Sequence, residues 1–151
     1  MNKAKQMLGA IKLELETNDR LYRAFPWEIH PWRELGGEAR KCVGQKFNGA
    51  RTRVEWTADT IVAGVVPRSQ ASGAIIQISG LQASIREMKH TLLSGEQVRP
   101  SLVVLDDPQT RESAGSPSQC VTREAIISGD VLGMAGPGKK IAALMPCTVI
   151  Y

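Results

Sequence analysis

Apolar residues recur at near-helical spacing through the first part of the chain, with charged residues between them. The pattern is carried by Met7, Leu8, Ile11, Leu15, Leu21, Tyr22 and Phe25. It predicts an opening helix that breaks at Pro26, because proline lacks the backbone N–H that a helix interior needs. A second helix is predicted within residues 32–43, so that residues 1–45 form a helical lead-in.

The period of the pattern changes after the lead-in, where short runs rich in β-branched residues replace the helical spacing. The runs are TRVEW and TIVAGVV, separated by Ala58 and Asp59, followed by GAIIQIS. The first two runs predict a β-hairpin and the third predicts a further strand. Strands are therefore expected within residues 51–80.

The segment RPSLVVLDDPQT contains a continuous apolar run, Leu102 to Leu105. A run without alternation is typical of a parallel strand buried on both faces, and it predicts a strand over about residues 101–107. Asp106 and Asp107 follow at its carboxyl end, which is the edge where open α/β sheets bind ligands.

Two adjacent carboxylates at the end of a buried strand repel each other and lose solvation unless a positive charge lies near. A Mg²⁺ ion bound to a nucleotide would supply that charge, so the pair is a candidate nucleotide site. The alternative is a simple turn, because Asp-Asp-Pro is also good turn chemistry.

The segment GMAGPGKK, residues 133–140, matches the phosphate-binding loop G-x-x-x-x-G-K-[ST] except at its last position. There Lys140 replaces the hydroxyl residue that binds Mg²⁺, and a charged lysine cannot be a metal ligand. The segment is therefore either a degenerate phosphate-binding loop or a connection between two elements.

The neighbouring elements favour the connection. Residues 117–132 are predicted to form a helix, with Ser116 as N-cap and Pro117 at its first position. KIAALMPCTVIY predicts a strand over about residues 140–151. A phosphate-binding loop needs a strand before it and a helix after it. Here the order is reversed, so GMAGPGKK is expected to end a helix, with Lys139 and Lys140 as surface charges.

Composition fits one domain of 151 residues, 42% of them apolar, with a net charge of +4 and a pI of about 9.1. This charge suits a polyanion partner but does not require one. A basic stretch without any acid lies between Glu38 and Glu55, and its cations are Arg40, Lys41, Lys46, Arg51 and Arg53. Two interpretations stay open for it, a solvated basic face and a nucleic-acid contact.

The cysteines Cys42, Cys120 and Cys147 show no C-x-x-C pairing, and His30 and His90 are far apart in sequence. No zinc site or disulfide framework is predicted, and reduced cytosolic thiols are expected. The first residues are too charged for a signal peptide, and no apolar run approaches the ~18 residues that span a bilayer. The sequence therefore predicts a soluble protein that does not enter a membrane.

Several of these segments together resemble the ATPase core of a bacteriophage terminase large subunit, the motor that packages DNA into capsids. The most specific part is LVVLDDPQTRESAGSPSQ with the helix after it and the strand ending in CTVIY. KAKQMLGAIKLELETNDRLYRAFP resembles the helix that this family places after its nucleotide-binding loop. TRVEWTADTIV and ASGAIIQISGL resemble the strands that it places before its second acidic motif.

The resemblance implies an α/β fold, a partial P-loop NTPase domain of the ASCE type with a mostly parallel sheet. It implies that Asp106 is the Walker B aspartate, which orients Mg²⁺ through its water shell, and that Asp107 is the catalytic carboxylate that positions the attacking water. Many family members have Glu at the second position. It also implies that Thr148, on the strand after the Gly-rich segment, belongs to the coupling motif; an ordinary strand-end threonine is the alternative.

The same resemblance implies ATP and Mg²⁺ as cofactors of the complete protein, and double-stranded DNA, a portal protein and a small terminase subunit as partners. The complete motor would be an oligomer in the cytoplasm of a bacterial host. This chain lacks the family's phosphate-binding loop, since its only Gly-Lys is Gly138-Lys139, and it has no room for the family's nuclease domain. It is therefore expected to be an internal piece of a terminase that binds no cofactor alone.

Two other functions stay open from the sequence. One is a non-enzymatic prophage remnant or DNA-binding fragment, which the basic stretch would serve. The other is a small independent nucleotide enzyme that uses GMAGPGKK, which the order of the elements disfavours.

Overall fold

A computed structural model of the chain describes residues 2–81, 85, 88–92 and 95–147. The chain divides into two compact units, Met1–Ser79 and Gly80–Tyr151. Each unit has a hydrophobic cluster of its own. No helix in the described ranges is long and apolar enough to cross a membrane.

The first unit begins with three helices, α1 (Asn2–Thr17), α2 (Asp19–Ala24) and α3 (Pro26–Arg33). The predicted opening helix is split at Asn18, because the Asn18 side chain accepts hydrogen bonds from the backbone N–H groups of Arg20 and Leu21 at 2.9 and 3.0 Å and so caps a new helix. Pro26 occupies the first turn of α3, where a missing N–H costs nothing.

The predicted second helix begins earlier than expected. α3 starts at Pro26, and within residues 32–43 the chain forms only the end of α3 and a 3₁₀ turn, Ala39–Cys42. The cause is local, since Gly36 and Gly37 between them have φ angles of 55° and 75°, and this left-handed backbone ends a right-handed helix.

Five short strands follow in the described residues of the first unit, and all of them pair antiparallel. They are β1 (Lys46–Phe47), β2 (Ala50–Arg51), β3 (Glu55–Trp56), β4 (Thr60–Val62) and β5 (Ile75–Gln77). β3, β4 and β5 form one sheet in that order, which confirms the hairpin predicted around Ala58 and Asp59. β1 and β2 form a separate hairpin.

The core of the first unit packs the helices against the three-stranded sheet. Its buried residues are Leu8, Leu15, Ile29, Trp32, Leu35, Val54, Trp56, Ile61 and Ala63. The Gln45 side chain links three segments, because its Nε2 donates to the Pro31 carbonyl at 2.7 Å and its Oε1 accepts from the Thr52 hydroxyl at 2.6 Å. Thr52 is 1% exposed, so this hydrogen bond satisfies a polar group that has lost its water.

The second unit contains one antiparallel and one parallel pair of strands in its described part. β6 (His90–Thr91) pairs with β7 (Gln97–Val98), and β8 (Leu102–Val104) pairs in parallel with β9 (Ala142–Leu144). The helices α4 (Arg111–Ala114) and α5 (Pro117–Ala125) lie between β8 and β9 in sequence. α5 continues as a π-helical turn, Ile126–Val131, and a 3₁₀ turn, Leu132–Ala135.

β8 begins where the sequence predicts a strand, but it is not buried on both faces. Val103 is half-buried and packs against the core residues Ile85, Val131 and Met134. Leu102 and Val104 are each 53% exposed, because alternate side chains of a strand point to opposite faces. Antiparallel pairs outnumber parallel ones in the described part of the chain, so the mostly parallel P-loop NTPase sheet stays a prediction.

Candidate functional site

The acidic pair lies at the shared carboxyl end of β8 and β9. Hydrogen bonding between the two segments continues past the strands: the Leu105 N–H donates to the Leu144 carbonyl at 2.8 Å, and the Asp107 N–H donates to the Pro146 carbonyl at 3.0 Å. Pro146, two residues after the end of β9, is thereby held beside Asp107. The carboxyl ends of parallel strands are where α/β sheets bind ligands.

Thr148, the third residue of the predicted site, lies outside the described residues. Cys147 is the last described position, one residue before it. The structure therefore gives positions for Asp106 and Asp107 only.

Asp107 has two unusual features. Its φ angle is 48°, in the left-handed region that few residues other than glycine adopt and that Asp tolerates better than most. Its Oδ1 atom is buried and has no hydrogen-bond partner in the described part of the chain. A buried carboxylate oxygen without a partner costs about 1–3 kcal/mol or more, so a cation or a hydrogen-bond donor placed next to Oδ1 would be stabilised.

The turn interpretation explains the first feature of Asp107 but not the second. A left-handed backbone is usual in turns, whereas turn chemistry gives no reason to bury a carboxylate oxygen away from any donor. Asp106 is half-buried beside it and is engaged in an interaction of its own.

The segment after the acidic pair is fixed by hydrogen bonds to the two following helices. Thr110 and Ser113 form a reciprocal capping box at the start of α4, and Ser113 is fully buried. Arg123 on α5 donates through Nη1 to the Pro108 carbonyl. Gln109 Nε2 donates to Cys120 Sγ at 3.1 Å. These bonds hold the backbone that carries Asp107 against α4 and α5.

No three carboxylate, histidine or cysteine side chains converge on a metal site within the described ranges. A metal held by one aspartate through its water shell does not need such a group, because the nucleotide phosphates supply the other ligands. Asp106 and Asp107 could serve a nucleotide-bound Mg²⁺ in this way, but they could not build an all-protein metal cage.

GMAGPGKK connects a helix to a strand, which confirms the predicted order of elements. Gly136 ends the 3₁₀ turn with a φ angle of 85°, Pro137 follows it, and the chain then enters β9. Lys139 and Lys140 are exposed, as expected for surface charges. Arg99 covers the end of the helix, donating through Nη1 to the Met134 carbonyl at 3.3 Å. This arrangement lacks the strand-loop-helix geometry that cradles phosphates.

The fold places four of the five cations of the basic stretch in two groups, and Arg53 follows the second group with a φ angle of 56°. Arg40 and Lys41 pair with Glu38 at 2.8 and 3.1 Å, and hydrogen bonds from Lys41 and Arg40 lower the pKa of the Glu38 carboxyl. Lys46 and Arg51 instead lie on the β1–β2 hairpin. The sequence interpretation missed this hairpin, although Asn48-Gly49 between two short strands is a strong signal for it.

The three cysteines are free thiols in different surroundings: Cys42 and Cys120 are half-buried, and Cys147 is exposed. Burial raises the pKa of the Cys42 thiol above its ordinary value of 9.0, because the thiolate would lose hydration. The folded state therefore favours the neutral thiol. The neutral Cys42 thiol contributes fully to the stability of the folded chain below pH 9.0, and this contribution is lost as the pH rises through the raised pKa.

Cys42 is accordingly expected to react with iodoacetamide at least about tenfold more slowly than Cys147 at pH 8, because the thiolate is the nucleophile. Peptide mapping by mass spectrometry after timed alkylation measures both rates in one sample, and Cys42→Ser identifies the slow phase. Equal rates at the two thiols would contradict the burial of Cys42.

No family model, no curated protein and no solved structure matches this chain.

Proposed function

We propose that the chain is part of the ATPase domain of a bacteriophage terminase large subunit, which uses ATP hydrolysis to move double-stranded DNA into a procapsid. The observation that carries the proposal is the acidic pair at the carboxyl end of the parallel strands β8 and β9, with Oδ1 of Asp107 buried and lacking a donor in the described part of the chain. A Walker B strand next to a coupling strand would have this arrangement.

In this proposal the two carboxylates have separate roles. Asp106 would hold Mg²⁺, which would neutralise the phosphate charge when bound, and Asp107 would orient the water that attacks the γ-phosphorus. The bond between the γ-phosphorus and the bridging oxygen breaks, and ADP and inorganic phosphate are released. Thr148, on the chain that follows β9, senses the loss of the γ-phosphate and couples it to DNA movement.

The left-handed backbone at Asp107 gives a physical reason for aspartate where many terminases have glutamate. Asp is one of the few residues that tolerate a φ angle of 48°, whereas a longer side chain is strained there. In this proposal the left-handed backbone positions the Asp107 carboxylate for the attacking water, whereas a glutamate would reach that water through its additional methylene group.

The phosphate-binding loop would come from another segment of the motor, because Gly138-Lys139 lies in a helix-to-strand connection. Further strands would also cover Leu102, Val104 and Leu144, which are exposed by 53, 53 and 58%. Parallel strands are normally covered on both faces by neighbouring elements. ATP, Mg²⁺, double-stranded DNA, a portal protein and a small terminase subunit are the ligands and partners of that complete motor, in the cytoplasm of the host.

The test is to read the DNA upstream of this coding sequence for an in-frame or frameshifted G-K-[ST] loop and to produce the chain joined to that segment. Mg²⁺-dependent ATP hydrolysis that double-stranded DNA stimulates is the expected result. A joined protein that folds but hydrolyses no ATP would overturn the proposed function.

The chain alone is expected neither to bind Mg-ATP in the micromolar range nor to hydrolyse it. Phosphates are held mainly by a nest of backbone N–H groups, the loop lysine and a helix N-terminus. Asp106 and Asp107 meet a nucleotide only through Mg²⁺ and repel bare phosphates. Calorimetric titration of the purified chain measures this, with Lys139→Ala as the comparison. Micromolar binding that Lys139→Ala abolishes would show that GMAGPGKK holds phosphate after all.

A further inference from the structure

The β1–β2 hairpin holds two cations directly opposite each other. Lys46 pairs in register with Arg51, and Asn48 and Gly49 close the hairpin with φ angles of 50° and 82°. Like charges in directly opposite positions destabilise an antiparallel pair. Neither side chain forms a salt bridge in the described part of the chain, whereas Arg40 and Lys41 share Glu38 as a salt-bridge partner. The hairpin therefore presents two positive charges that no salt bridge pairs in the described residues.

An aromatic group adjoins these cations. Phe47, next to Lys46 in β1, contacts Trp27 edge-on with ring centroids 6.2 Å apart and His30 at 5.6 Å. Trp27 is 38% exposed, whereas Trp32 and Trp56 are buried at 6 and 7%. The Arg68 guanidinium lies 5.5 Å from the centre of the Trp27 ring and adds a further cation.

A small cavity joins the two groups, since His30, Lys46 and Phe47 all line it. Two carboxylates lie near. Glu34 lines the same cavity, and Glu28 accepts a hydrogen bond from the Gln70 N–H at 3.0 Å. The carboxylates are on the α3 side, so an anion is expected to bind along the hairpin side.

We propose that this part of the first unit binds single-stranded nucleic acid. The aromatic–basic surface consists of Trp27, His30, Lys46, Phe47, Arg51 and Arg68. Cations along a groove attract phosphates, and exposed aromatic rings stack on bases. In a duplex the flat faces of the bases are already covered by their neighbours, so exposed rings add little to duplex binding. The combination of rings and cations therefore favours an unpaired strand.

This inference is independent of the proposed ATPase role. The surface lies entirely in the first unit, whereas Asp106 and Asp107 belong to the second. The motor proposed above acts on double-stranded DNA. An Asp106 variant that hydrolyses no ATP is expected to bind single strands normally. Variants of the aromatic–basic surface are expected to lose single-strand binding but to keep ATP hydrolysis.

The experiment measures fluorescence anisotropy of labelled oligothymidylate of about twenty nucleotides and of a duplex of the same length, each titrated with the full chain over a series of salt concentrations. Binding of the single strand is expected to be roughly tenfold or more tighter than binding of the duplex. Lys46→Gln combined with Arg51→Gln is expected to reduce the salt slope by about 1.4, because each phosphate contact on a single strand contributes about 0.7.

The matched control is Lys139→Gln combined with Lys140→Gln, which removes the same charge from exposed positions in the second unit. This control is expected to leave the slope unchanged. An equal reduction of the salt slope in both double variants would show that net charge alone attracts the strand, and the proposed surface would be wrong. Equal affinity for duplex and single strand, or no binding to either, would also overturn the proposal.

The role of stacking is tested separately with Trp27→Leu, which keeps an apolar side chain but removes the ring. Affinity for oligothymidylate is expected to fall about tenfold, with little change for the duplex. A thermal melt of the variant checks that the unit still folds. In the unsubstituted chain, unlabelled oligothymidylate is expected to quench tryptophan emission, since Trp27 is the exposed one of three tryptophans. Unchanged emission at saturation would exclude stacking on Trp27.

Discussion

If the proposed ATPase function is right, Asp106→Asn is expected to abolish Mg²⁺-dependent ATP hydrolysis in the chain joined to the phosphate-binding segment proposed above, with a loss on the order of 10³-fold. A neutral amide keeps the size of the side chain but cannot balance the charge of the metal, which is the largest local charge in such a site. The strand should be little affected, because the substitution keeps the shape of the residue. Steady-state phosphate release at saturating Mg-ATP measures the loss.

Glu112→Gln is the control, because it removes one negative charge from an exposed position on α4 near the same loop. It is expected to leave turnover within about twofold, since screened surface charges have small effects. Near-normal turnover in Asp106→Asn would show that this carboxylate does not serve the metal. Asp107→Asn tests the second carboxylate in the same assay. Asparagine also tolerates the left-handed backbone, so this substitution removes the charge without straining the chain.

Gly64→Ala is expected to destabilise the first unit by roughly 1–3 kcal/mol, through a steric clash rather than through backbone strain. A Cβ atom at this position would lie 2.7 Å from Pro31 Cβ and 2.9 Å from Pro31 Cγ. The Pro31 ring cannot move away from the added methyl group, because Pro31 is fully buried. The backbone on both sides of Gly64 is also held, by hydrogen bonds from the Ala63 N–H to the Ala74 carbonyl and from the Val65 N–H to the Thr52 carbonyl.

Gly9→Ala is the matched control for this prediction. Gly9 lies inside α1, and no atom lies within 4 Å of the position that an added Cβ would take, so alanine there meets open space. Alanine is the better helix former, and the substitution is expected to stabilise the unit by about 0.5–1 kcal/mol. Urea unfolding midpoints of the two variants should therefore move in opposite directions. A Gly64→Ala midpoint equal to that of the unsubstituted chain would mean that α3 does not pack this closely on the sheet.

Local signals in the sequence were sufficient for several elements. Ser116 and Pro117 predict the start of α5, and Gly136 with Pro137 predicts where the 3₁₀ turn that continues it ends, because these residues act through their own backbone preferences. The hairpin at Ala58 and Asp59 follows from two β-branched runs close together in the chain. The break at Asn18 was also encoded locally, but the helical spacing of the apolar residues on either side concealed it.

The candidate site could be only partly predicted. The sequence predicts that Asp106 and Asp107 follow a strand, because the apolar run before them is continuous. It does not specify that β9, about forty residues later, pairs in parallel with β8. Nor does it specify the buried Oδ1 of Asp107, since burial depends on which segments pack over the loop.

The sequence by itself determined the hairpin at Ala58 and Asp59, the start of the helix at Pro117, the place of the acidic pair after a strand and the role of GMAGPGKK as a connection, because each follows from residues that are neighbours in the chain. Only the tertiary structure decided which strands pair, that β8 is buried on one face, and that Trp27, Phe47, Lys46 and Arg51 form one surface. These features join residues that are distant in the chain. Their energies depend on packing between segments, which no local preference encodes.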